Sequence, residues 1–137
     1  MPERELQCVV VTPEKAVLEE AADFVAVPMF DGELGVLPGR APLIGRLGYG
    51  ELRLRRGMEV RRFFIDGGFV QVRANTVTVL TARAQRAEDI DTNAVAQALH
   101  AALAPAPTPQ AYEEQLKAQQ RARAQLRVAR HREEIRT

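Results

Sequence analysis

The sequence predicts an α+β chain: a β domain over residues 1–85, then an antiparallel two-helix hairpin over 86–137. Three observations predict it. All nine glycines lie at or before Gly68, and all five phenylalanines at or before Phe69. From Ala84 onward, 14 of the 54 residues are alanine and none is glycine. Glycine with β-branched and aromatic residues suits turns and strands, whereas alanine suits helix. The third observation is strict alternation of apolar and charged residues in the first part only, as in Glu51-Leu52-Arg53-Leu54-Arg55.

In chain order, Leu6 to Val11 reads as a buried strand stopped by Thr12-Pro13. Phe24 to Met29 is a second strand, and Pro28 within it suggests an edge or an end. Asp31 to Leu43, with Gly32, Gly35, Gly39, Pro38 and Pro42, reads as a stiff loop around Leu34, Val36 and Leu37. A buried corner accounts for its apolar residues, with Leu34 and Leu37 mostly buried. It leaves Glu33 and Arg40 as charges presented rigidly at the rim, as binding loops present them. Gly45, Gly48 and Gly50 read as turns. Val60–Ile65 and Phe69–Arg73 flank Asp66-Gly67-Gly68, a hairpin signal because glycine tolerates positive φ. Ala74-Asn75 reverses the chain before Thr76–Val79. Many short strands at close spacing predict a sandwich or a flattened barrel.

The helices are expected at about 90–103 and 109–132. Asp89 or Asp91 caps the first, whose stripe is Val95, Ala98, Leu99, Ala102 and Leu103. Thr108-Pro109 starts the second, a cap followed by proline where no N–H is needed. Its stripe is thin: Tyr112, Leu116, Ala122, Leu126 and Ala129. So few large apolar residues predict a loosely docked hairpin. Between Gln115 and Arg132 the second helix carries six cations and no carboxylate. A solvated face is the plain reading; the missing acids favour a partner with an acidic surface. Without interleaved aromatics, nucleic acid is disfavoured.

The chain's 19 basic and 18 acidic residues argue against a general polyanion binder. No apolar run approaches a membrane span, and the N-terminus does not read as a signal or transit peptide. One cysteine, Cys8, predicts no internal disulfide and fits a reducing, cytoplasmic setting. An enzyme is not expected. There is no serine, no phosphate loop and no metal-spaced His or Glu pair, and His100 and His131 fall on the helices.

Taken together, Gly32-Glu33-Leu34-Gly35-Val36-Leu37-Pro38-Gly39 with Ala41-Pro42-Leu43, Gly67 to Val72, Val77 to Leu80 and Arg86 to Asp91 resemble the epsilon subunit of bacterial and plastid rotary ATP synthases. The resemblance covers essentially the whole chain. It implies an antiparallel β-sandwich of about ten strands followed by the hairpin. It implies a non-catalytic central-stalk subunit of a proton-translocating enzyme, peripheral on the cytoplasmic face of the bacterial plasma membrane. The partners it implies are the gamma subunit, the membrane c-ring and the catalytic beta subunits. Glu33 and Arg40 would face the ring, Arg40 where the family usually has histidine. Arg121, Arg123, Arg127 and Arg130 would reach the beta subunits and restrain ATP hydrolysis. Some members bind ATP through an Ile/Leu-Asp-x-x-Arg-Ala motif, which here reads Ile90-Asp91-Thr92-Asn93-Ala94-Val95. Ala94 in place of the arginine implies weak or absent nucleotide binding, with Asp91, Arg123 and Arg127 as the remaining contacts and no resident cofactor or metal. Without the resemblance, composition alone fits equally well a free-standing β-sandwich binding or adaptor module with a helical tail.

Overall fold

A computed structural model describes residues 5–134, with side chains placed to His131. Eight strands precede two helices: β1 (Leu6–Val11), β2 (Ala16–Ala22), β3 (Phe24–Met29), β4 (Gly32–Val36), β5 (Leu43–Arg56), β6 (Glu59–Arg73), β7 (Thr76–Leu80) and β8 (Ala84–Arg86). A 3-10 turn (Ala87–Asp89) leads to α1 (Thr92–Ala102) and α2 (Pro109–Glu134). The hydrogen-bonded order is β2-β1-β7-β6-β5-β3-β4, with β8 also on β6. Every pair is antiparallel except β1 with β7.

The sheet folds over itself into a sandwich because β5 and β6 pass through both layers. They stay in register from Leu43↔Val72 to Arg56↔Glu59. The face they bury changes midway. Leu47 points to the core from an odd position, Leu52 and Leu54 from even ones; Phe63 and Ile65 are odd, Val70 and Val72 even. Alternation has a period of two, so this switch marks a local break in the pleat. It falls at Gly48 and at Gly67-Gly68, whose φ angles are +66° and +107°. Two strands thus serve as four, and eight continuous strands build what about ten separate ones would.

The Asp66-Gly67-Gly68 signal therefore marks a bend inside β6, not a hairpin. There β6 exchanges β8, its neighbour at residues 63–65, for β7, its neighbour at 69–73. Gly45, Gly48 and Gly50 lie inside β5, not in turns. Their missing side chains admit β3: a Cβ on Gly50 would stand 2.7 Å from Pro28 Cβ, and one on Gly48 would stand 3.1 Å from the Met29 carbonyl oxygen. Pro28 lies within an internal strand, not an edge. It sits where the β3–β5 register is interrupted between Ala26 and Met29, so its missing N–H costs no ladder bond to β5. Part of the expected loop at 31–43 is strand, since Gly32–Val36 pairs with β3 as the sheet's edge.

One apolar core fills the sandwich, from Leu6, Cys8 and Val10 to Val77 and Val79. A second, smaller one lies outside it. Phe64, on the opposite face of β6 from Phe63 and Ile65, packs with Ala87, Ile90, Val95, Ala122, Ala124, Val128 and Ala129. The hairpin is seated there, on β5 and β6.

Candidate functional site

Two surfaces carry charge in defined positions. The first is the glycine-rich corner. Leu37 to Arg40 form a turn closed by Arg40 N–H donating to the Leu37 carbonyl at 3.2 Å. Gly39, with φ +86°, donates its N–H to Asn75 Oδ1 at 2.8 Å, which pins this loop to the β6–β7 turn. Val36 is fully buried, but Leu37 is 56% exposed. The expectation of a buried Leu37 fails because β4 ends at Val36, and alternation turns the next side chain outward. Arg40 is exposed. Glu33 is half-exposed, and Arg53 of β5 donates to it at 3.2 and 3.4 Å. Glu33 and Arg40 are not brought together; the rest of β4 separates Glu33 from the loop, at about 3.3 Å per residue.

Beside this corner lies a surface that the sequence did not single out. Arg46, Phe69 and Leu80 are cross-strand neighbours on β5, β6 and β7. With Ile44 and Phe30 they form an outward strip in which Ile44 is 76% and Phe30 65% exposed. The Arg46 guanidinium lies 6.0 Å from the centre of the Phe30 ring. The outward positions at 44, 69 and 80 alternate with core positions, which is the signal that was available. Grouped large apolar side chains left in water mark a contact surface.

The second charged surface is the seat of the hairpin. Asp91, not Asp89, caps α1, its Oδ1 accepting from the N–H groups of Asn93 and Ala94 at 3.1 Å. Thr108 Oγ1 accepts from Ala111 N–H at 3.0 Å and opens α2. The expected stripe is only partly right. Val95, Ala102, Ala122 and Ala129 are buried, whereas Leu103, Tyr112 and Leu116 are exposed. Ala124 and Val128 supply buried contacts that the count of large residues missed.

Polar bonds surround this seat. Arg121 donates to Asp66 of β6 at 3.0 Å and lies over the Tyr49 ring at 5.4 Å. Gln125, buried, donates to Gln85 of β8 at 2.6 Å. Gln119 donates to the Ala102 carbonyl at 2.9 Å, tying α2 to the end of α1. His131 bonds Glu51 of β5 at 2.5 Å.

Of the four expected arginines, Arg121 is therefore engaged within the chain. Arg123, Arg127 and Arg130 are exposed and form no ion pair with the side chains described, which run to His131. Arg123 and Arg127 border a cleft of about 740 Å³ together with Arg46 and Arg121. Asp91 does not border that cleft; it lies at the start of α1. Among the described residues no cluster of three His, Cys, Asp or Glu side chains is placed to hold a metal ion. Burial pushes the Cys8 thiol up to about 12, which leaves it protonated and unreactive.

Comparison with known proteins gives a consistent likeness. The β-sandwich domain of the ATP synthase delta/epsilon chain matches residues 5–87, more than half of the chain. The ATP synthase epsilon chain of Rhodopirellula baltica is 52% identical over 126 residues, covering 91% of this chain and 98% of that one. The epsilon chain of Nitratidesulfovibrio vulgaris is 45% identical over 89 residues, covering 65% of this chain and 66% of that one. A chain of the Euglena gracilis mitochondrial ATP synthase, solved as an OSCP/F1/c-ring assembly, shares the fold. Its TM-score is 0.81 at 24% identity, over 88% of this chain and 79% of that one. A chain from the Tetrahymena thermophila mitochondrial ATP synthase central stalk and c-ring gives a TM-score of 0.67 at 18% identity, over 93% and 98%.

Proposed function

The chain belongs to the ATP synthase delta/epsilon family, whose epsilon chain is a non-catalytic subunit of the central stalk, and from that premise we propose how its two surfaces divide the work. The sandwich couples the membrane ring to the catalytic head. Its corner, carrying Glu33 and Arg40, faces the polar loops of the c-ring. The apolar strip of Phe30, Ile44, Phe69 and Leu80 docks on the gamma subunit. The hairpin restrains ATP hydrolysis when α2 leaves its seat and presents Arg121, Arg123, Arg127 and Arg130 to an acidic surface of the beta subunits.

The observation that carries this reading is the charge state of α2. Three arginines on its exposed side pair with none of the side chains described, which run to His131, while the apolar part of the seat on α2 is three alanines, one valine and the partly buried Leu126. Charges presented in this way are available to a partner, and the small contact permits release.

The protein is a peripheral subunit of a membrane complex, and among the described residues no helix is long and apolar enough to cross a membrane. Its place is the cytoplasmic face of the plasma membrane. In this reading ATP binds weakly or not at all: Ala94 lacks the guanidinium that would bind an anion, and Asp91 is engaged as the α1 cap. The test is hydrolysis by the reconstituted enzyme with and without residues 87–137. Loss of the hairpin should raise hydrolysis severalfold, and replacing all four arginines with alanine should do the same. Unchanged hydrolysis in both would refute the inhibitory role.

A further inference from the structure

We infer that the ring-facing corner and the hairpin are linked electrostatically through Glu33, Arg53, Glu51 and His131, so that engaging Glu33 loosens the seat of α2. The inference rests on the release of the hairpin proposed above and adds what governs it.

The centre of the link is Glu51, on the outer face of β5. Its side chain is 10% exposed. A carboxylate so enclosed persists only with cationic partners. It has two such partners, on β5 and β6, and a third hydrogen-bonding group on α2. Arg62 of β6 donates to Oε1 at 2.6 Å, Arg53 of β5 reaches the same oxygen at 3.5 Å, and His131 of α2 meets Oε2 at 2.5 Å. Glu51 is thus both a sandwich residue and the anchor of the distal part of α2.

Arg53 is divided between two acids. Its Nη2 donates to Glu33 Oε1 at 3.2 Å. Its Nη1 lies 3.4 Å from Glu33 Oε2 and 3.5 Å from Glu51 Oε1, so one donor is shared almost evenly. A shared donor moves when either acceptor changes. If a ring group takes up Glu33, or if its charge is removed, Arg53 commits to Glu51. Two guanidinium groups then compensate one carboxylate, and its attraction for the His131 imidazole falls. If Arg53 is removed instead, Glu51 is compensated less and holds His131 more tightly.

The other charged groups on the surrounding elements do not substitute for this path. Glu88 and Asp89 of the 3-10 turn and His100 of α1 are exposed, as are Arg127 and Arg130 of α2 itself. Arg53 and Glu33 are 29% and 52% exposed, so solvent and salt weaken their pair. The expected effect is accordingly a small shift in a poised equilibrium.

The test uses the isolated full chain with Cys8→Ala and spin labels at Met58→Cys and Gln120→Cys, both exposed positions. The docked fraction is read from the distance distribution at pH 6. The denaturant concentration is set to leave the reference chain half docked. Glu33→Gln should lower the docked-to-undocked ratio two- to threefold, and Arg53→Gln should raise it. Glu51→Gln should lower it more than Glu33→Gln does. In the Arg53→Gln background, Glu33→Gln should have no effect, and 0.5 M salt should shrink every difference. Arg53→Met, which keeps the aliphatic stem, replaces Arg53→Gln if that chain does not fold.

Equal effects of Glu33→Gln with and without Arg53, or no effect in either, would overturn the link, since coupled residues must be non-additive. The hydrolysis test above fails independently. No coupling together with hydrolysis that rises on deleting the hairpin removes the link alone. Coupling together with unchanged hydrolysis removes the inhibitory role alone.

Discussion

Gly68 occupies a backbone position that a side chain cannot share. At φ +107° a Cβ would lie 1.9 Å from the Leu80 carbonyl oxygen, and neither backbone can retreat without breaking the β6–β7 ladder. Gly68→Ala should cost about 3 kcal/mol or more, as strain and overpacking combined. At Gly45 the conflict is with Met29 Cε at 2.3 Å, the far end of a flexible side chain, so Gly45→Ala should cost only about 1 kcal/mol. Thermal or urea unfolding of the two variants checks the order. Cys8 makes a second residue-scale prediction. Its thiol is raised from 9.0 to about 12 when folded, so the unfolded chain ionises first as pH rises. The stability linked to this group is complete below pH 9 and is lost as pH climbs toward about 12. Cys8→Ala should flatten that alkaline limb of a stability–pH curve.

At the scale of elements, α2 is seated by residues that a search for large side chains passes over. Val128 is 1% exposed and Ala124 fully buried, and together they bring the helix close to Phe64. Val128→Asp should unseat α2 while the sandwich keeps its melting temperature. Burying a valine contributes roughly 1.5–3 kcal/mol, so the open fraction should rise tenfold or more. Tryptic cleavage at the α2 arginines should accelerate to match. What the sequence made legible follows from the same physics. β1 and β3, short apolar runs bounded by turn residues, β7, which alternates, and the cap at Thr108 could be read because local chemistry decides them, while the same chemistry leaves Asp89 and Asp91 as equal candidates for the first cap. β2 (Ala16–Ala22) could not, since Glu19 and Glu20 interrupt its pattern and its place depends on pairing with β1. β8 was hidden for a similar reason, being three residues held by β6. In the candidate site, the exposure of Glu33 and Arg40 could be anticipated. The pairing of Arg121 with Asp66 spans 55 residues and is a product of tertiary structure.

For the whole molecule, the two cores predict a graded response to truncation. A chain ending at Asp89 retains the entire sandwich core, so it should fold cooperatively with native strand content by circular dichroism. It also exposes Phe64, which the hairpin covers. It should therefore bind a hydrophobic dye and self-associate at concentrations where the full chain stays monomeric. The long β5–β6 ladder has a further consequence, one for the time course of folding. Its strands are joined by the short turn around Gly57, at φ +61°, so their pairing zips outward from neighbours in sequence. The parallel pairing of β1 with β7 joins residues about seventy apart and must close a far larger loop. Contacts that are cheap to close form early. Gly57→Val should slow refolding nearly in proportion to the stability it removes. Val9→Ala on β1 should leave refolding almost unchanged and speed unfolding instead, as the two arms of a chevron plot would register.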